Sequence, residues 1–288
     1  MKFSTFIFEK AGTSFEDICD KAVERGFDGV EPRDDKTGLS LLKYGFDKKA
    51  AQEVKKMIES KGLEIPDIAH GGVGTTEDDL VLFRKTMELA EVLGVKIIRT
   101  HLGPLARQWA SEIPKSELLK ITVDSLKNLQ KAADLAEDYG VKIGVDNFYS
   151  LTVKDNINYV KKIDSPNLKI LIDVDNCVAH GENLIESVRE AGNLLIHSHV
   201  KEAKVYGRGE NPPLPGYEGK AFGDENHAEL GETGLIDWKK YIETLKEIKY
   251  KGFLSIEACL VLSEGEQDWD RAERNMNYLR KICEEVGI

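Results

Sequence analysis

The chain has 288 residues, 41% of them hydrophobic and 32% charged, with a formal net charge of −11. That length suits one large α/β domain or two ordinary ones, and the composition excludes disordered and low-complexity classes. The acidic excess repels a phosphate backbone and argues against nucleic acid as a partner, while Cys19, Cys177, Cys259 and Cys283 form no CxxC pair and so indicate neither a disulfide framework nor a thiolate zinc site.

The stretch MKFSTFIFEKAG reaches Glu9 and Lys10 too soon for the apolar core of a signal peptide. No later segment approaches the roughly 20 apolar residues of a membrane span. The expectation is a cytoplasmic protein with no membrane partner.

In chain order, strand-like runs fall at 2–8, 27–31, 64–70, 96–101, 141–147, 168–173, 193–201 and 252–257. Between them lie amphipathic stretches such as FEDICDKAVERG and EDDLVLFRKTMELAEVLG, with apolar residues three and four apart. Gly26, Gly62, Gly94, Gly140 and Gly252 sit where a helix would end before the next strand, and Thr76 with Asp79 reads as a helix N-cap. This alternation predicts a single (β/α)₈ TIM barrel over residues 1–288, with no linker to a second domain. One connection breaks the rhythm: residues 202–234, rich in Gly and Pro, are expected to form a long loop or lid over the C-terminal face.

In such a barrel the active site is built where the strands end. In strand five, outward Val141, Ile143 and Val145 leave Gly144 and Asp146 facing inward; strand six leaves Asp173, and strand eight leaves Ser255 and Glu257. In NLLIHSHVKEAK (193–204), His197, His199 and Lys201 share one face, and His199 opens the polar end. Taken alone, a strand-end Asp or His can be a helix cap or half of an ion pair. Asp146, Asp173 and Glu257 converging without a cation would repel one another, so the quartet with His199 points to a divalent metal. Oxygen ligands plus one imidazole suit Mn²⁺, Mg²⁺ or Co²⁺ first, then Zn²⁺ or Fe²⁺.

Further candidates share this face. Glu31, His70 and His101 end strands two, three and four, with Arg99 two residues before His101. For Glu31 and Arg99, a mutual ion pair competes with substrate contact; His70 and His101 are read as substrate contacts or supports. GGVG (71–74) lacks the lysine of a phosphate-binding loop, and DVDN (173–176) lacks the Gly and Glu spacing of a calcium loop.

The runs FDGVE, IRTHLG, IGVDN, LIDVDN, HSHVKE, LGETGLIDW and GFLSIE together resemble the sugar phosphate isomerase/epimerase superfamily, the xylose isomerase-like barrels, along nearly the whole chain. The resemblance implies one divalent metal held by Asp146, Asp173, His199 and Glu257. It departs from ketose epimerases in having Asp146 in place of Glu, and from many relatives in having Asn176 where they carry His. His227 matches a histidine that relatives place before a glycine turn, with a surface position as the competing reading. The resemblance also implies an enzyme of carbohydrate metabolism that isomerises or epimerises a sugar, keto-sugar or polyol. Glu257 and Asp146 are its catalytic candidates, and Glu31, His70, Arg99, His101, Asn176, Lys201 and His227 its substrate contacts. Lys204 and Arg208 are further candidates to orient a polar substrate end, Arg208 equally a solvated loop charge. A dehydratase or lyase using the same enolate chemistry is the alternative. A non-catalytic sugar-binding barrel ranks below it, as does an abasic-site endonuclease, which Asn176 and the acidic charge oppose. A homo-oligomer is compatible with this reading.

Overall fold

The computed structural model describes residues 1–6, 13–33, 48–102, 114–148, 151–203, 227–257 and 268–288. Short runs with alternating apolar residues form β1 (Lys2–Phe6), β2 (Gly29–Glu31), β3 (Ile68–Gly72), β4 (Ile97–His101), β5 (Lys142–Asp146), β6 (Leu168–Asp173), β7 (Leu195–Val200) and β8 (Phe253–Ile256). Stretches with a three-to-four-residue apolar period form α1 (Phe15–Glu24), α2 (Lys48–Ser60), α3 (Glu77–Leu93), α4 (Lys115–Ala136), α5 (Val153–Ile163), α6 (Val174–Ala179), α7 (Leu184–Ala191), α8 (Trp238–Glu247) and α9 (Trp269–Val286).

The eight strands pair in parallel in the order β2-β1-β8-β7-β6-β5-β4-β3. Bridges from Gly29 to Glu64 and from Arg33 to Ala69 bring the two outer strands together. The result is a nearly closed barrel ringed by helices, a single (β/α)₈ TIM barrel. Outward strand residues such as Ile98, Ile143, Val145, Ile172 and Leu254 are buried, and they share one core with helix residues including Phe83, Met87, Leu129, Ile157 and Leu245. Among the described residues no helix is long and apolar enough to cross a membrane.

Local signals set the element ends. Thr76 caps α3 in a capping box with Asp79, and Gly94 ends that helix in the left-handed conformation at φ 79°. Gly252 behaves differently from the expectation. Lys249, at φ 58°, takes the left-handed turn after α8, whereas a Cβ on Gly252 would run into the Ile196 carbonyl oxygen and the Tyr250 hydroxyl. Gly252 is needed for close approach of chains rather than for a turn.

The connection expected at 202–234 is anchored at both ends. Glu202–Ala203 pairs antiparallel with His227–Ala228. The buried Glu202 carboxylate accepts hydrogen bonds from the Gly231 and Thr233 amides, the Thr233 hydroxyl and the Trp238 indole N–H. Residues 204–226, with Lys204 and Arg208, lie outside the described residues, as do Ile7 and Phe8 of the expected first strand.

Candidate metal centre

Register brings the strand ends together. Asp173 pairs with His199, His199 pairs with Ser255, and Asp146 pairs with His101. One donor atom from each of Asp146, Asp173 and His199 lies within 4.8 Å of the other two, and all three residues are buried. Glu257 stands beside this trio: its Oε2 is 3.8 Å from His199 Nδ1. Its side chain is 14% exposed, against 0% for Asp146 and 1% for Asp173. Of the four groups Glu257 is the most accessible.

Two cations support the carboxylates. Arg99 donates to Asp146 Oδ2 from Nε at 2.9 Å and from Nη2 at 2.6 Å, while Asp146 Oδ1 is buried with no hydrogen-bond partner. Lys201 Nζ lies 2.9 Å from Asp173 Oδ2 and 2.8 Å from Glu257 Oε2, bridging the pair. Asp173 also caps α6, accepting from the Asn176 amide at 3.4 Å and from its side-chain Nδ2 at 2.9 Å. The cap and the site therefore share one carboxylate. Asn147 holds the Asp173 backbone from the neighbouring strand: it donates to the Asp173 carbonyl at 3.0 Å and accepts from the Asp173 amide at 2.7 Å.

Deeper in the barrel, Glu31, Asp67, His197 and His199 form a second buried cluster. Glu31 Oε1 lies 2.7 Å from His199 Nε2, and Oε2 lies 3.0 Å from His197 Nε2. Burial alone would push the Glu31 carboxyl up, but the charges and hydrogen bonds of His199 and His197 outweigh it and hold it well below the usual range. Asp67, 3.5 Å from His197 Nε2, is driven well up by burial and by the Glu31 charge. Burial would also lower His199, yet Glu31, Asp146 and Glu257 raise it. For His197 burial prevails over Glu31 and lowers it.

Of the two readings for Glu31 and Arg99, the mutual ion pair does not form: Arg99 turns to Asp146 on the next strand, and Glu31 turns to the two histidines. Glu31 is wholly buried. His70 packs its ring edge on Phe83 of α3, centroids 4.6 Å apart, with Nδ1 3.1 Å from Thr86 Oγ1. Alternation explains this orientation: Ile68 pairs with outward Ile98 and Ala69 with inward Arg99, so His70 shares the helix-facing side with Ile68. His101 stacks on Phe148 at 4.7 Å, and its Nδ1 is buried without a hydrogen-bond partner. Burial and the nearby Arg99 charge lower its pKa to about 3. The His227 backbone belongs to the short hairpin, and its side chain lies outside what the structure describes.

Sequence reasoning does not single out Asp67, His197 or Asn147. His197 shares the inward parity of His199, and Asn147 follows the strand-five aspartate in VDN, so a weak signal exists for both. Asp67 offers none beyond its parity with Ala69.

The donor set fits a divalent cation. Three carboxylates face two cationic side chains, and Asp146, one of the clustered donors, keeps a buried oxygen without a hydrogen-bond partner. Asp146, Asp173 and His199 would hold the ion, with Glu257 alongside; oxygens plus one imidazole and no sulfur match hard and borderline metals.

Known proteins give the site its context. The chain is 28% identical over 181 residues to the inosose isomerase of Bacillus subtilis, covering 61% of this chain and 58% of that protein. It is 25% identical over 261 residues to the inosose dehydratase of Clostridium botulinum, covering 85% of this chain and 82% of that protein. The chain thus spans little more than half the length of the first curated relatives it matches, 54% to 58%. Among solved structures, a D-psicose 3-epimerase crystallised in the presence of D-fructose superposes with a TM-score of 0.72 at 16% identity over 99% of both chains. The IOLI protein with a bound zinc atom superposes with a TM-score of 0.71 at 21% identity over 99% of this chain and 98% of that one. A family model described as the xylose isomerase-like TIM barrel matches residues 19–282, and the chain belongs to that family.

Proposed function

We propose that this protein is a divalent-metal-dependent isomerase or epimerase of a sugar, keto-sugar or polyol, working by proton abstraction beside a carbonyl. The observation that carries the reading is the convergence of Asp146, Asp173 and His199 within 4.8 Å, with the partly exposed Glu257 beside them at the barrel mouth. Names of relatives that act on inososes, and a neighbour with zinc, support it. When bound, the ion supplies Lewis-acid stabilisation of negative charge developing on the substrate oxygens.

The protein's own groups do the rest. Glu257 is the general base: it is the most accessible of the carboxylates and long enough to lean toward a substrate carbon. Asp146 serves as a ligand through Oδ1, because Arg99 occupies Oδ2 from two nitrogens. Lys201, whose Nζ donates to Glu257 at 2.8 Å, orients that base and stands ready to donate to a substrate oxygen. Asn176 keeps Asp173 in place.

A dehydratase reading has its own support. The ammonium group of Lys201 lies on the same carboxylate that would take the α-proton, so an acid stands beside the base to protonate a departing β-hydroxyl. Incubating ketoses, inososes and keto-glycosides with the Mn²⁺-loaded protein in deuterated water tests both. Deuterium entering next to the carbonyl at unchanged carbon skeleton and water content supports the isomerase, and loss of water supports the dehydratase. Glu257→Gln is expected to lower the rate at least 100-fold, on the order of general-base catalysis. Turnover with no deuterium incorporation contradicts the proton-abstraction mechanism.

A further inference from the structure

We infer that Glu31 is the positioning residue of the metal centre: it fixes the tautomer of His199 so that Nδ1 is the metal-binding atom. The inference rests on the metal reading proposed above and assigns a role to Glu31, which is wholly buried.

The geometry is specific. Glu31 ends β2, and its carboxylate crosses the barrel interior to β7, three strands away in the sheet order. There Oε1 accepts from His199 Nε2–H at 2.7 Å and Oε2 accepts from His197 Nε2–H at 3.0 Å. A carboxylate offers only acceptors, so each imidazole meets it with a protonated Nε2. For neutral His199, that leaves the lone pair on Nδ1, the nitrogen on the Glu257 side, 3.8 Å from Oε2. With the tautomer reversed, Nδ1 would carry a hydrogen and could not ligate a metal.

Two contacts make this orientation a single one. The His199 ring is held edge-on by Phe6 at 5.2 Å and by His197 at 5.5 Å, so it cannot turn to exchange its nitrogens without displacing both. His197 holds the second Glu31 oxygen, which keeps the carboxylate from rotating away from His199. A carboxylate that orients a metal-ligating histidine in this way is worth about 10- to 100-fold in metal affinity.

The test uses full-length protein stripped of metal. Mn²⁺ titration by calorimetry compares wild type with Glu31→Gln, and nitrogen-15 NMR reads the protonated nitrogen of His199 in metal-free wild type at mildly alkaline pH. The glutamine amide is nearly isosteric but can turn either an oxygen or an NH₂ group toward His199, so it no longer enforces one tautomer. The expected results are an Nε2–H signature in wild type and a 10- to 100-fold loss of Mn²⁺ affinity in a folded Glu31→Gln protein. Wild-type affinity retained by Glu31→Gln, or an Nδ1–H signature in wild type, overturns the positioning role while leaving the metal site standing. Wild-type protein that takes up no Mn²⁺ or Zn²⁺ overturns the metal reading and this inference with it. Should Glu31→Gln fail to fold, the wild-type tautomer still decides, because that measurement needs no variant.

Discussion

On the proposed reading, Lys201 serves the site in two states, with and without a metal. Its Nζ bridges Asp173 and Glu257, so without a metal it is the cation that lets these carboxylates share the barrel mouth. Lys201→Met is expected to destabilise the metal-free protein by about 3–5 kcal/mol, the cost of removing one partner from a buried charge pair. It should also tighten Mn²⁺ binding by removing a competing charge; denaturant melts and metal titration of the same variant check both directions. His101 supplies a pH signature. Its folded pKa, about 3, lies below the ordinary 6.5. As pH falls through 6.5 the unfolded chain takes up a proton that the folded imidazole refuses until about pH 3, so stability is full above that window and drains within it. Wild type is therefore expected to lose about 2 kcal/mol more than His101→Gln between about pH 7 and pH 5, measured by urea unfolding at the two values.

Among the elements, β3 and the loop before β8 are the most instructive. On β3 His70 has the parity of outward Ile68 and turns onto α3, where it meets Phe83 and Thr86. Parity counted from Ile68 and Ala69 gives the same side, and the extra residue before Gly72 exchanges the faces only beyond it. Gly252 sits against the Ile196 carbonyl and the Tyr250 hydroxyl. Gly252→Ala must push β8 from β7 at the start of β8, and it is expected to cost about 1–3 kcal/mol of overpacking. A thermal melt of Gly252→Ala indistinguishable from wild type would show that the strands yield freely there. Glu202 works at the same scale: its four donors tie the start of the 202–234 connection to its end and to α8. A segment that composition alone renders as one loop is thus pinned at its base.

For the whole molecule, the nearly closed sheet lets donor groups from separate strands meet, and the proposed ion should cross-link them. Mn²⁺ at about 100 times its dissociation constant stabilises the native state by about 2.7 kcal/mol through mass action. Differential scanning calorimetry is expected to show a rise of roughly 5–10 °C over protein treated with EDTA. No shift at saturating Mn²⁺, Co²⁺ or Zn²⁺ would speak against a metal held by these strands.

The alternation of strand and helix patterns determined the barrel, because each βα unit must bury one face on the sheet and one on its neighbours. Period-two parity likewise placed Asp146, Asp173, His199 and Glu257 on the inner side, since side-chain direction in a strand is a local property. What only the tertiary structure decided is who meets whom across the interior. Glu31 reaches the two histidines and leaves Arg99 to Asp146, and Lys201 spans two carboxylates from different strands. Those partners depend on the stagger between strands and on closure of the sheet, and both are settled by the packing of the whole barrel rather than by any pattern within one segment.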